Sequence, residues 1–355
     1  MFVVYSPHHI LHNPPKEFIS NQVVAYGESP ERAELIYESL MDIPGVKLIG
    51  PEQFDPGHFC KIHSSAYLEY LKTAYEEWVA AGLWAEGIMP EFFALGKLRD
   101  HPPLKSPEGK AGFYMTDSST MIVKGSWEAV KYSGFTALTG AKQLLSGESS
   151  VFSLCRPPGH HAGYDFAGGY CFVNNAALAA KYLQDQGDLR GGGTLRVGIL
   201  DLDFHHGNGT QDIVQRLENI LLISIHGDPD HSYPYLTGFD TENTSKNINF
   251  PLPPGTADEV YFSVFCDAVA LLQQFGAGYL VISMGVDTFE KDQLGNFSLS
   301  SEIYTRLAEC LISRLKIPTL IVMEGGYNTD YLARNVVSFL KPFYDTFRIS
   351  SSPDN

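Results

Sequence analysis

The chain has 355 residues, 44% hydrophobic and 19% charged, with 33 glycines. That is apolar material for one large domain or two small ones, and the balance excludes a disordered chain. A formal net charge of −16 repels phosphate backbones and attracts cations, so no nucleic-acid partner is expected, and no apolar run reaches the roughly 18–20 residues of a membrane helix.

The N-terminus, MFVVYSPHHI, lacks the basic region and small-residue cleavage site of a signal peptide. The five cysteines (Cys60, Cys155, Cys171, Cys266, Cys310) are odd in number and form no CxxC pair. Both features predict a cytoplasmic protein.

In chain order, the first predicted strand is FVVYS at 2–6, followed by helical patterns at 30–41 and 65–82. Segment 83–124 is rich in Pro, Gly and charge. A helix at 127–145, a strand at 150–155 and a helix at 174–187 come next, then strands at 195–204 and 219–226. A second irregular stretch, 227–259, precedes a helix at 261–276, a strand at 279–287, a helix at 300–316, a strand at 319–326 and a helix at 331–345. The strand runs are β-branched and not strictly alternating, as in parallel strands covered on both faces. Strands alternating with helices predict a doubly wound α/β sheet, one domain over 1–345 with a tail at 346–355. Long loops in such a domain are usually functional, and the ligand crevice lies beyond the strand carboxyl ends.

The densest chemistry is DLDFHHGNG at 201–209. If the strand continues through it, Asp201, Asp203 and His205 share one face. Two carboxylates and an imidazole do not remain neighbours cheaply, and a divalent metal resolves the conflict; Asp and His suit zinc. A turn cluster is the plainer alternative, since Asp and Gly-Asn-Gly are turn residues. Asp287, in SMGVDTFEKD, ends another apolar run and is either a helix cap or a third ligand. Three protein ligands leave the open position of a catalytic zinc site. The adjacent His160 and His161 in CRPPGHHAG suit general acid–base work, with Asp201 available to orient one of them. Tyr327, in MEGGYNT, is either a packed tyrosine or a donor to a developing oxyanion. GxSxG, P-loop and GxGxxG signatures are missing from the sequence. The combination reads as metal-dependent hydrolysis of a carbonyl compound.

RPPGHHA, GGYCFVNNAALAA, DLDFHHGNGTQ, SMGVDTFEKD and EGGYN together resemble the zinc-dependent deacetylases of the arginase–deacetylase fold. HNPPKEF and the long segment 83–124 place the likeness closest to the bacterial acetylpolyamine amidohydrolases. The resemblance implies a central, mostly parallel sheet flanked by helices on both faces, with long loops at the strand carboxyl ends. It implies that Asp203, His205 and Asp287 hold one catalytic Zn2+ and that His161 is the general base toward the attacking water. His160 would be its electrostatic partner, held by Asp201, and Tyr327 would polarise the acetyl carbonyl. The Gly169 carbonyl would accept from the substrate amide, and Tyr170 and Tyr233 would wall a narrow tunnel. Asp201 and Ser224, with neighbouring carbonyls, would hold a structural K+.

Asn208 stands where the main histone deacetylases carry aspartate, so it would orient His161 without adding charge. Glu17 and Glu108 fall where the polyamine branch places acids for distal ammonium groups. Ser119 replaces a further glutamate, with Asp117 nearby as a substitute. Segment 83–124 is expected to build a homodimer that narrows the entrance. The substrate would then be a small cationic acetylated amine. The alternatives are a lysine deacetylase acting on peptides or proteins, a non-catalytic binder of acetylated or cationic ligands, and an arginase-like enzyme with two manganese ions, for which Phe204 and Asn208 supply no extra carboxylates.

Overall fold

The computed structural model describes residues 1–19, 22–94, 105–191 and 195–350. Its centre is an eight-stranded sheet made of β1 (Phe2–Tyr5), β4 (Lys47–Ile49), β5 (Ser150–Leu154), β6 (Val197–Asp201), β7 (Ile220–Gly227), β8 (Asn247–Leu252), β9 (Tyr279–Met284) and β10 (Thr319–Met323). The spatial order is β4-β1-β5-β10-β9-β6-β7-β8, and every pair is parallel. The last strand in the chain, β10, therefore lies between β5 and β9. A separate antiparallel hairpin joins β2 (Glu17–Ile19) to β3 (Gln22–Val24).

Side chains alternate across the sheet and feed two cores. Val4, Val151, Ile199 and Val322 pack with α2 (Ser65–Ala80), α4 (Ser126–Leu145) and α5 (Asn175–Gly191). Val3, Phe152, Leu200 and Ile321 pack on the other face with α1 (Pro30–Met41), α7 (Asp258–Phe275), α8 (Ile303–Leu315) and α9 (Leu332–Ser350). With both faces covered, the central strands are buried at every position of β5, β6, β7 and β10, which is why they read as continuous apolar runs. Helix boundaries follow ordinary capping chemistry: Ser64 Oγ accepts from Tyr67 N at the start of α2, and α7 stops at Gly276 with φ +73°. Among the described residues no helix is long and apolar enough to cross a membrane.

The irregular stretches hold more structure than their composition suggests. Segment 227–259 contains β8 and a 3-10 turn at Asp240–Glu242, and segment 83–124 contains α3 (Pro107–Tyr114). Residues 95–104 of the expected entrance loop lie outside the described residues. The strand expected over 195–204 ends at Asp201, and a short helix, α6 (Asn208–Val214), follows the turn.

Candidate active site

Four adjacent strands, β5, β10, β9 and β6, deliver their carboxyl-end loops to one place. From β6 come Asp201 in the strand and Asp203 and His205 in the turn beyond it, and from β9 comes Asp287. Because the strand stops at Asp201, the turn rather than the pleat brings Asp203 and His205 together. One ligand-type atom from each of Asp203, His205 and Asp287 lies within 4.8 Å of the others. His205 Nδ1 is 3.3 Å from Asp203 Oδ1 and 3.0 Å from Asp287 Oδ2. Backbone donors fix the acids in that aim: Gly325 N reaches Asp203 Oδ2 at 2.8 Å and Phe204 N reaches Asp287 Oδ1 at 2.8 Å.

Both carboxylates are fully buried. Burial and the charge of Asp203 push the Asp287 carboxyl up to about 7. Burial opposes a charge on His205 too, but the two carboxylates outweigh it and raise the imidazole to about 10. Left to protons alone, the three groups have to share them; a divalent cation satisfies all three at once. Asp, His and Asp are a donor set that suits zinc with a position open. A Cβ at Gly325 would stand 2.6 Å from Asp203 Oδ2 and 2.7 Å from Asp287 Oδ2, so the backbone there is bare where the acids converge.

The β5 loop supplies His160 and His161, with ring centres 4.0 Å apart and opposite electrostatics. His160 Nδ1 is 3.1 Å from Asp201 Oδ2, and although burial opposes its charge, Asp203 and Asp201 raise it to about 10. Burial and the neighbouring His160 and His205 hold His161 well below the usual histidine range. His161 Nδ1 is 2.7 Å from Asn208 Oδ1. An amide oxygen only accepts, so Nδ1 carries the proton and Nε2 keeps its lone pair.

Tyr327 follows β10 and is almost fully buried, and burial holds its phenol well above the usual range. It therefore stays a donor. Asp292 Oδ2 accepts from Tyr327 N at 2.6 Å and Asn328 N at 3.0 Å, and the Arg32 guanidinium sits 4.8 Å from the ring centre. Arg32 also donates to Gly326 O, Glu324 O and Glu28 Oε1, tying this loop to α1.

These groups open onto a cavity of about 300 Å³ lined in part by His161, His205, Gly169, Tyr170, Tyr233 and Tyr327. The Tyr233 ring stands 4.9 Å from His161 at 88°. Gly169 has φ +52°, and a Cβ there would fall 2.1 Å from His161 Cδ2, so only glycine fits against the histidine.

The expected ammonium-binding acids are placed differently from one another. Asp117 lines the cavity, but its oxygens accept from Gly169 N, Tyr233 OH, Ser119 N, Thr120 N and Thr120 Oγ1. Glu17 is buried and takes Gly27 N at 2.6 Å and Tyr170 OH at 2.7 Å. It anchors the tunnel wall instead of lining the cavity. Glu108 sits in the first turn of α3 and does not line the cavity either. Ser224 pairs in register with Asp201 and bonds His226 Nδ1 at 2.8 Å.

The histone deacetylase domain family matches residues 26–342. The chain belongs to that family. The deacetylase-family chain is 38% identical to acetylpolyamine amidohydrolase 2 of Pseudomonas aeruginosa, over 98% of this chain and 100% of that protein. It is 38% identical to acetylpolyamine amidohydrolase of Mycoplana ramosa, over 96% of this chain and 99% of that protein. A crystal structure of acetylpolyamine aminohydrolase from Burkholderia pseudomallei superposes with a TM-score of 0.89 at 33% identity, covering 97% of this chain and 98% of that one. The fold is the arginase–deacetylase fold, and the family membership makes the chain an enzyme acting on amides.

Several supporting residues are not among the candidates read from the sequence: Arg32, His63, Asn174, Asp292 and Glu324. His63 and Asn174 fix the loop that bears the histidine pair. Asn174 N donates to His63 Nε2 at 3.0 Å, and Asn174 Nδ2 donates to Ala162 O at 3.1 Å. Glu324 Oε2 accepts from Gly159 N at 2.7 Å and from His160 N at 3.2 Å. Asn174, Asp292 and Glu324 fall inside GGYCFVNNAALAA, SMGVDTFEKD and EGGYN, so membership of a motif is the signal that could have found them.

Proposed function

We propose that the chain removes the acetyl group from acetylated polyamines, releasing acetate and a free amine. The reading is carried by the convergence of Asp203, His205 and Asp287 with a neutral His161 and a protonated Tyr327 on one tyrosine-walled cavity. The names of relatives that match over nearly the full chain support the substrate class.

Asp203, His205 and Asp287 would hold one Zn2+, which supplies Lewis acidity toward the acetyl carbonyl. His161 Nε2 takes the proton of the attacking water, and Asn208 keeps that nitrogen free. His160, paired with Asp201, adds positive charge beside the developing anion. Tyr327 OH donates to the oxygen on which charge accumulates. The Gly169 carbonyl orients the amide N–H, and Tyr170 and Tyr233 exclude water from the methylene chain. Asp201 and Ser224, neighbours across β6 and β7, would hold a structural K+.

A homodimer contact at the mouth is part of the reading. Ile19 of β2 and Tyr235 line the cavity, and Phe18, Val23, Tyr235 and Leu236 nearby in the chain are exposed. All five cysteines are free thiols, which supports a cytoplasmic setting. A second reading, hydrolysis of acetyl-lysine in peptides, is favoured by one observation: Asp117 and Glu17 are engaged by protein donors rather than open to a distal ammonium.

The deciding experiment is acetate release by zinc-loaded protein from acetylputrescine, acetylspermidine and an acetyl-lysine peptide. Faster turnover of the small amines is expected. Faster turnover of the peptide would replace the first reading with the second, and no acetate from any of them would remove both.

A further inference from the structure

The catalytic cavity is not the larger one among the described residues. A cavity of about 500 Å³ lies at the opposite end of the sheet, against about 300 Å³ at the metal cluster. It is bounded by the amino ends of β5, β9 and β10, the last turns of α4 and α8, and the side of α9. Leu144, Leu311, Leu315 and Phe343 give it apolar walls. A volume of this size is that of a small-molecule pocket.

Two polar atoms in it lack partners. Ser150 is 3% exposed, yet its Oγ has no hydrogen-bond partner among the described residues, and neither has Glu148 Oε2. Ser150 alternates with Val151 and so shares the sheet face of Phe152 and Leu154, the face covered by α8 and α9 where the cavity lies. A buried hydroxyl without a partner is rare in a folded protein and points to a missing ligand or water.

Negative charge reaches these atoms from two helix ends and one carboxylate. Helices α4 and α8 end at Leu145 and Leu315, and their terminal carbonyls carry partial negative charge toward that end of the sheet. Glu148 adds a carboxylate within electrostatic reach of the Met1 ammonium, which lies outside the lining residues. Lys316 is the opposing cation among the lining residues, and it is exposed, free to keep its ammonium in water.

We propose that this cavity is a second binding site, for a small amphiphilic amine. Glu148 Oε2 and Ser150 Oγ accept from the ammonium, and an apolar ring or chain lies between α8 and α9. The site is independent of amide hydrolysis and does not rest on the polyamine reading.

Tryptamine is the probe, with indole-3-ethanol and indole-3-propionate as its neutral and anionic counterparts. Calorimetric titration of the full-length, zinc-loaded protein is paired with crystals soaked in tryptamine. Tryptamine is expected in the cavity, bound at least about tenfold more tightly than the alcohol. Glu148→Gln should weaken tryptamine by about tenfold, and Ile312→Trp, which fills the cavity, should abolish it. Tyr327→Phe, at the other end of the molecule, should leave that affinity unchanged. Should Ile312→Trp fail to fold by circular dichroism, Ser150→Ala and the near-isosteric Glu148→Gln still decide. An empty cavity in the soaked crystal overturns the proposal. So does an affinity insensitive to Glu148→Gln, tighter binding of the propionate, or binding lost only in Tyr327→Phe.

Discussion

His63 offers a sharp test of how the loop bearing His160 and His161 is held. Its ring is fully buried, with Nδ1 2.7 Å from Gly163 O and Nε2 3.0 Å from Asn174 N. A carbonyl oxygen only accepts and a backbone N–H only donates, so the ring is neutral with its proton on Nδ1. Protonating Nε2 would set two donors against each other. Burial accordingly lowers His63 from 6.5 to about 4 in the folded protein. Above pH 6.5 both folded and unfolded chains carry a neutral ring and no linkage arises. As pH falls from 6.5 toward 4 the unfolded chain takes up a proton that the folded one refuses, and stability is lost. Below about 4 the loss is complete. At roughly 1.4 kcal/mol per pH unit, the full window is worth about 3.4 kcal/mol, and about 2 kcal/mol of it is spent between pH 8 and pH 5. The assay is urea unfolding of wild type and His63→Phe at steps from pH 8 to pH 5. The variant is less stable at pH 8, since it forfeits both hydrogen bonds, and the gap to wild type should narrow by about 2 kcal/mol by pH 5. Acid release of metal acts on both proteins and drops out of the difference. A gap that stays constant, or widens as pH falls, would refute the tautomer argument.

Three further substitutions probe the site. Tyr327→Phe should lower kcat by about 10²–10³ with little change in KM, measured by acetate release; a normal kcat would reduce Tyr327 to packing. Gly169→Ala, which drives a Cβ to 2.1 Å from His161 Cδ2, should cut kcat at least about tenfold while zinc content by mass spectrometry stays whole. Unimpaired turnover would mean the loop has room to move. Asp117→Asn puts a donor in place of an acceptor, either at Oδ2, facing Gly169 N and Tyr233 OH, or at Oδ1, facing Ser119 N and Thr120. It should cost about 1–3 kcal/mol in stability and raise KM more than it lowers kcat; unchanged melting and KM together would show that those contacts do not organise the tunnel.

The convergence of the candidate site residues was legible because they sit in short motifs at the ends of apolar runs, and parallel strands put such ends on one side of the sheet. The long helices at 30–41, 65–80 and 126–145 were legible for the same reason: strong patterns with clear boundaries. Short or polar elements were not. NINFPL of β8 reads as loop because Asn and Pro interrupt it, yet it pairs with β7 over six residues. The geometry of Asp203 and His205 was also hidden, since nothing local marks Asp201 as the last strand residue. Roles exercised only through distant partners left no trace. Arg32 meets Gly326 across 294 positions, and Asp117 meets Tyr233 across 116. An isolated Asp in a loop looks the same whether it faces water or gathers five donors, which is why Asp117 reads equally well as a substrate-binding acid.

The place of β10 has a consequence for how the protein is made. Strand β10, ending at residue 323, is laid between β5 and β9 in the centre of the sheet. Until the ribosome has released it, β4-β1-β5 and β9-β6-β7-β8 have no strand to join them, and each presents an edge of unpaired backbone N–H and C=O groups flanked by apolar side chains. Tyr327 arrives on the same segment, so the acids and histidine from β6 and β9 proposed to hold a metal predate the phenol proposed to complete the site. A chain stopped short of about residue 327 is then two sticky half-sheets rather than a weak enzyme. Synthesis delivers activity all at once, at the end.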